Sequence, residues 1–199
     1  MNKIITISRE FGSGGRELGR RLSEELGIAY YDQEIITEIS KRTSLSEQYV
    51  QAIAEKRPSF SFPIHIHHSF YPGINPVFEH SLSVYKEQTN IIKEAAEKSD
   101  CVIVGRCADY ILKEYKPLRF FIYADMDSKM KRCREKAPEG EHFTDRELKQ
   151  HIKGIDKGRA QYYEFYTDHS WGDRLNYDFC INTTQVVIKE IVPVIAKLC

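Results

Sequence analysis

No stretch of the 199-residue chain approaches the ~18 consecutive apolar residues that a membrane span requires. The apolar run Ile4-Ile5-Thr6-Ile7 near the start is too short for a signal peptide. Net charge is absent as well, because 29 Lys and Arg balance 29 Asp and Glu. A general nucleic-acid binder or a membrane-surface protein carries a net positive field, so neither kind of partner is expected. The five cysteines, Cys101, Cys107, Cys133, Cys180 and Cys199, form no Cys-x-x-Cys pair. An odd count without a framework points to a reducing, cytoplasmic setting. Cys101 and Cys180 begin and end apolar runs and are expected as small buried hydrophobes. Repeats and low-complexity segments are missing too.

What is present suits a globular domain. Hydrophobic residues make up 41% of the chain and charged residues 29%. A chain of this size buries roughly 70% of its unfolded surface without disulfides or structural metals. One domain over residues 1–199 is expected.

Strand-like runs alternate with helical periodicity. Ile4–Ile7 reads as the first strand, and Leu18, Leu22 and Leu26 form one stripe of an amphipathic helix that Gly27 stops. Ile28–Tyr31 reads as a second strand ending at Asp32, with Ile35, Ile36 and Ile39 opening another helix. Cys101–Val104 is a continuous apolar run of the kind buried on both faces in a parallel sheet. Arg119–Tyr123 and Phe179–Ile181 complete five strands, and Val187, Ile191, Val194, Ile195 and Leu198 mark a terminal helix. This alternation specifies an α/β fold with a parallel sheet. The segment Lys56–Pro76 breaks it, holding four of the seven prolines and the cluster His65-Ile66-His67-His68, and reads as an irregular excursion.

The stretch Ser8-Arg9-Glu10-Phe11-Gly12-Ser13-Gly14-Gly15-Arg16-Glu17 follows the first strand. A strand, a glycine-rich turn and a helix start together make an anion cradle, since converging backbone N–H groups meet a positive dipole end. The usual phosphate-loop pattern needs Gly, four residues, Gly, Lys, then Ser or Thr. Aligned on Gly14, it puts Arg9 at the first Gly, Gly15 at the Lys and Arg16 at the Ser/Thr, so one of four fixed positions matches. Arg16 or Arg9 could supply the missing cation, and Ser13, Ser8 or water the missing hydroxyl. The plain alternative is a tight turn that only joins strand to helix.

The turn has company. Leu26-Gly27-Ile28-Ala29-Tyr30-Tyr31-Asp32, Val102-Ile103-Val104-Gly105-Arg106, and Arg119–Ala124 followed by Lys129, Arg132 and Arg134 resemble successive segments of bacterial cytidylate kinases. With Ala108-Asp109-Tyr110-Ile111-Leu112, Tyr162-Tyr163, Trp171-Gly172, Tyr177-Asp178 and Ile181-Asn182-Thr183, the chain is similar to the cytidylate kinase-like family from end to end. That resemblance implies a P-loop kinase fold: a three-layer arrangement with a five-stranded parallel sheet, an acceptor-binding insert over about residues 32–98, and a helical lid over about 126–168. It implies ATP with Mg²⁺ as cofactors and small-molecule nucleotides as partners, and leaves homo-oligomerisation and the metal ligands open. By the same resemblance Gly12, Ser13, Gly14, Gly15 and Arg16 cradle ATP phosphates, and Arg16, Arg132 and Arg159 serve catalysis. Asp32, Arg106 and Asp109 bind the acceptor, CMP or dCMP first. Cys107 stands where those kinases carry Asp after Gly-Arg. A kinase for another metabolite, and a nucleotide-binding module with little turnover, are the alternatives.

Other candidates have plainer readings. The basic run from Lys129 to Lys136 reads as a lid or as a solvated helix face, and Asp156 and Arg159 have the spacing of a helix ion pair. Tyr162, Tyr163, Phe165 and Tyr166 read as core before base-stacking surface. His65 and His67 share a strand face but lack a further ligand at metal spacing.

Overall fold

The computed structural model describes residues 2–54, 76–138 and 143–199. Five strands form one all-parallel sheet: β1 (Ile4–Arg9), β2 (Ala29–Tyr31), β3 (Cys101–Val104), β4 (Leu118–Tyr123) and β5 (Phe179–Asn182), in the order β2-β3-β1-β4-β5. β1 lies in the middle, with Ile7 opposite Val104 on one side and Phe120 on the other. All six of its residues are buried, as a parallel strand covered by helices on both faces must be.

Two helical layers provide that cover. On one face α1 (Gly15–Leu26) and α8 (Ile188–Ala196) pack Leu18, Leu22, Ile188, Val192 and Ile195 against Ile5, Ile7 and Phe120. On the other, α2 (Gln33–Thr43), α3 (Glu47–Ile53), α4 (Pro76–Lys98), the single turn α5 (Ala108–Ile111) and α7 (Asp145–Thr167) enclose a second core. Ile36, Ile39, Ile92, Tyr162 and Tyr163 belong to it, so those two tyrosines are core. α6 (Met126–Glu135) follows β4. α7 starts on a capping box, in which the Thr144 hydroxyl accepts from the Glu147 N–H and the Glu147 carboxylate accepts from the Thr144 N–H.

The strand and helix expectations hold along the described chain, with one correction. Cys101 is fully buried, whereas Cys180 is exposed. β5 is an edge strand whose residues alternate between half-buried and exposed, and the period of two turns Cys180 to solvent. The irregular excursion with His65 and His67 lies almost entirely outside the described residues. No described helix is long and apolar enough to cross a membrane.

Leu22 is completely buried between α1 and the sheet. Leu22→Ala is expected to cost about 2–5 kcal/mol in urea unfolding, while Cys180→Ser on the exposed edge stays within about 0.5 kcal/mol of the parent.

Candidate active site

Parallel strands deliver their following loops to one end of the sheet, where ligands bind in α/β proteins. β1 leads into residues 10–14, β2 into Asp32, and β3 into Gly105-Arg106-Cys107. The loop after β1 turns on Gly12 and Gly14, both left-handed at φ 74° and 85°. Gly14 caps α1, so the first-turn N–H groups of a 12-residue helix open toward the loop. A Cβ on Gly14 would stand 2.8 Å from the Ile188 side chain, so space and backbone both require glycine there.

The loop is braced from outside. The Ser13 hydroxyl is buried and donates to the Glu10 carbonyl at 2.8 Å, while the Ser13 carbonyl accepts from the Thr183 hydroxyl at 2.6 Å. Arg132, from α6, donates to the carbonyls of Gly12 and Ser13 at 3.5 Å, to Val186 at 3.1 Å, and to Thr183. Lys129 bridges Glu10 at 2.7 Å and Asp156 at 2.8 Å, and Asp156 accepts the Phe11 N–H at 2.6 Å. Burial works against the Lys129 charge, but its hydrogen bonds to Asp156 and Glu10 outweigh burial and hold its pKa above the ordinary lysine value. Asp156 thus turns to Lys129, and Arg159 donates to the Arg9 carbonyl at 3.1 Å, where spacing alone suggested that the two pair with each other.

The end of β2 faces this loop. Asp32 is buried and meets Arg16 Nε at 2.5 Å and an Arg9 nitrogen at 3.7 Å. The Arg16 side chain is itself 58% exposed. After β3 the chain passes through three left-handed residues in a row, Gly105, Arg106 and Cys107, at φ 74°, 61° and 54°. Non-glycine residues there cost of order 1–3 kcal/mol each, a strain found at ligand clamps. Arg106 is held by its Nη1 donating to the Ala54 carbonyl at 3.2 Å and its own carbonyl accepting from buried Gln88 at 2.9 Å. Burial, then Asp109, pushes the Cys107 thiol well above the usual cysteine value.

Of the cavities that open here, two share a pair of arginines, and a third of about 420 Å³ is lined by Arg16, Tyr30 and Asp32. The first of the two, about 710 Å³, is lined by Arg9, Gly12, Gly14, Arg16, Arg132 and Arg159. The second, a narrow one of about 40 Å³, is lined by Ser8, Arg9, Arg106, Cys107, Arg159 and Trp171. Arg9 and Arg159 belong to both. The structure therefore gathers Gly12, Gly14, Gly15, Arg16, Asp32, Arg106, Arg132 and Arg159 at one end of the sheet, with Ser13 buried beneath the loop. Asp109 lines none of these cavities; it is buried behind the narrow one, with one carboxylate oxygen accepting the hydroxyl of the lining Tyr163 at 2.6 Å. Sequence reasoning did not find the Glu10, Lys129, Asp156 and Thr183 braces, which come together from four separated segments. Glu10, Lys129 and Thr183 stood within quoted motif stretches, but nothing in those stretches showed that they meet. Among the described residues no group of three or more His, Cys, Asp and Glu could hold a metal ion.

A glycine cradle at a helix start, after the first strand of a parallel sheet and ringed by arginines, defines a P-loop phosphotransferase. The model of the cytidylate kinase-like family matches residues 4–185, and the chain belongs to that family. It is thereby an enzyme of the nucleotide-kinase type. Among solved structures, an uncharacterized protein from Eubacterium ventriosum is 30% identical with a TM-score of 0.69, the match covering 98% of this chain and 97% of that one. A shikimate kinase from Acinetobacter baumannii in complex with shikimate is 17% identical, TM-score 0.55, with 100% and 93% covered. The shikimate kinase from Aquifex aeolicus is 21% identical, TM-score 0.52, with 96% and 93% covered. These two show the shared fold. No curated protein sequence matches the chain.

Burial raises the Asp109 carboxyl above its ordinary value, with the Tyr163 hydrogen bond pulling the other way. A raised carboxyl contributes stability that is intact at low pH and lost as pH rises through the folded-state value. Asp109→Asn is therefore expected to gain stability relative to the parent as pH goes from 3 to 8, measured by thermal melting. A difference that does not change with pH contradicts this.

Proposed function

We propose that the protein transfers the γ-phosphoryl group of ATP to a nucleoside monophosphate, CMP or dCMP first, in the cytoplasm. The observation that carries this reading is the gathering of four arginines beside a glycine cradle at the ends of β1, β2 and β3: Arg9 and Arg16 meet Asp32, and Arg106 and Arg159 line a cavity with Arg9.

The residues fit the phosphates of ATP. Gly14 leaves the cradle without a side chain, and the N–H groups that open α1 face the loop. ATP supplies the transferable phosphoryl group; the chain's part is to position and to neutralise. Phosphoryl transfer disperses negative charge over the moving group and needs little covalent help. In this reading the backbone from Gly12 to Arg16 grips the donor phosphates, and Arg106 takes the acceptor phosphate through its planar fork. Asp32, held by Arg16, accepts from a hydroxyl of the acceptor. Arg159 stands between the two cavities, close to both phosphates. Arg132 spends its donors on loop carbonyls and acts as a positioning residue. Mg²⁺ fits less well: Arg16 fills the place of the usual Ser or Thr, and the Ser13 hydroxyl is committed to Glu10, so no step is assigned to the metal.

A second reading keeps the phosphoryl donor and changes the acceptor to another hydroxylated or phosphorylated metabolite. Buried Cys107, where cytidylate kinases carry Asp after Gly-Arg, favours it.

ADP release with ATP and Mg²⁺ against a panel of nucleoside monophosphates, with an acceptor-free control, tests the function. Turnover that depends on CMP or dCMP is the expected result. Turnover only with another acceptor selects the second reading, and none at all in protein shown to bind ATP contradicts both. Arg106→Lys keeps the charge but loses the fork, and is expected to raise the acceptor KM at least about tenfold. An unchanged KM removes Arg106 from the acceptor phosphate.

A further inference from the structure

The loop lacks the usual lysine, and the structure shows what stands in the lysine's way. Gly15 occupies the lysine position of the standard pattern. A Cβ there would meet the Arg9 Cβ at 2.5 Å and the Arg9 Cγ at 3.0 Å. The Arg9 stem thus runs through the space from which a side chain at position 15 would start. Its guanidinium continues to the end of β3, where an Arg9 nitrogen lies 1.7 Å from the place of a Gly105 Cβ. Glycine at 15 and glycine at 105 are two ends of one accommodation, made for a single arginine.

That arginine is poorly neutralised. It is only 8% exposed. Burial is the largest influence against its charge, joined by Arg159, Arg106 and Arg16; of the leading influences Asp32 alone supports it. Asp32 is shared, since its closer contact, at 2.5 Å, is to Arg16. An arginine stays protonated at neutral pH, so a guanidinium held this way calls for a further anion. It lies where the wide and narrow cavities meet, lining both.

We propose that Arg9 is the cation of the phosphate loop, reaching the transferring phosphoryl group from the end of β1, and that Gly15 is glycine because the Arg9 stem fills its side-chain space. The proposal rests on the phosphotransferase reading above and names the residue that does the lysine's work. Arg16, exposed and bound to Asp32, orients the acceptor side. The ligand of Arg9 is a polyphosphate oxygen, donated to through the guanidinium fork.

The test uses the full chain, with ATP and inorganic tripolyphosphate as probes, and compares Arg9→Met with Arg16→Met. Arg9→Met is expected to melt at or above the parent temperature without ligand, because three guanidiniums lose a repelling neighbour. Its tripolyphosphate affinity is expected to fall at least about tenfold, the scale of a lost charged hydrogen bond. Arg16→Met, which removes a largely exposed side chain, is expected to change that affinity less than about fivefold. Strong destabilisation of ligand-free Arg9→Met shows a structural arginine and overturns the proposal. Parent-like affinity in Arg9→Met, or a larger loss in Arg16→Met, overturns it as well while leaving the kinase reading intact. A parent protein that binds neither probe overturns both.

A swap provides an independent check. Arg9→Gly with Gly15→Lys restores the glycine and lysine of the standard loop, Arg16 remaining at its Ser/Thr position, and leaves the Ile122 side chain as the nearest remaining neighbour, at 3.2 Å. The double variant is expected to bind tripolyphosphate more tightly than Arg9→Gly alone, whereas Gly15→Lys alone clashes with the Arg9 stem and loses binding. Equal affinity in the double variant and Arg9→Gly contradicts the exchange.

Discussion

One side chain sets the terms for the loops at three strand ends. The Arg9 stem crosses the start of α1 at Gly15, and its guanidinium lies against Gly105 after β3 and beside Asp32 after β2. Strand register places these loops together, because β1 is flanked by β3 and β3 by β2 in the all-parallel sheet. A buried guanidinium among other guanidiniums is costly unless an anion completes the group. The fold accepts that cost at a place where negative charge would arrive and move.

The cradle is also tied to the helices over it. Lys129 and Arg132 from α6 and Asp156 from α7 hold the outer edge of the loop through its carbonyls, its acid Glu10 and the Phe11 N–H. Any shift of α6 and α7 is therefore transmitted to the loop backbone. Arg159, on the same face of α7 as Asp156, donates to the carbonyl of Arg9 and lines both cavities. Helix position and loop shape are coupled by direct contacts.

The architecture was legible because it rests on local pattern. A continuous apolar run such as Cys101–Val104 and a stripe such as Leu18 and Leu22 state their burial without reference to the rest of the chain. Cys180 misled because an apolar run does not say whether its strand lies at the edge of the sheet. The site was legible as a glycine turn with nearby arginines, but the division of labour among them was not. Counting along the loop placed Arg16 next to the lysine position; only the three-dimensional path of Arg9 shows that Gly15 yields its space. The Asp156 partner was missed for a related reason. Helix spacing offered Arg159, while the actual partner Lys129 lies 27 positions away on another helix.

The claim beneath all of this is that the N–H groups opening α1 receive the donor phosphates. Such N–H groups have no partner within the helix and exchange with solvent readily until an acceptor arrives. Hydrogen exchange of the amides from Gly12 to Arg16, followed by NMR with and without ATP, measures this directly. The expected result is marked slowing at those amides on ATP addition, with little change along the interior of β4. ATP binding that leaves the Gly12–Arg16 amides unchanged, or slows amides elsewhere in their stead, would contradict the placement of the phosphates in this loop.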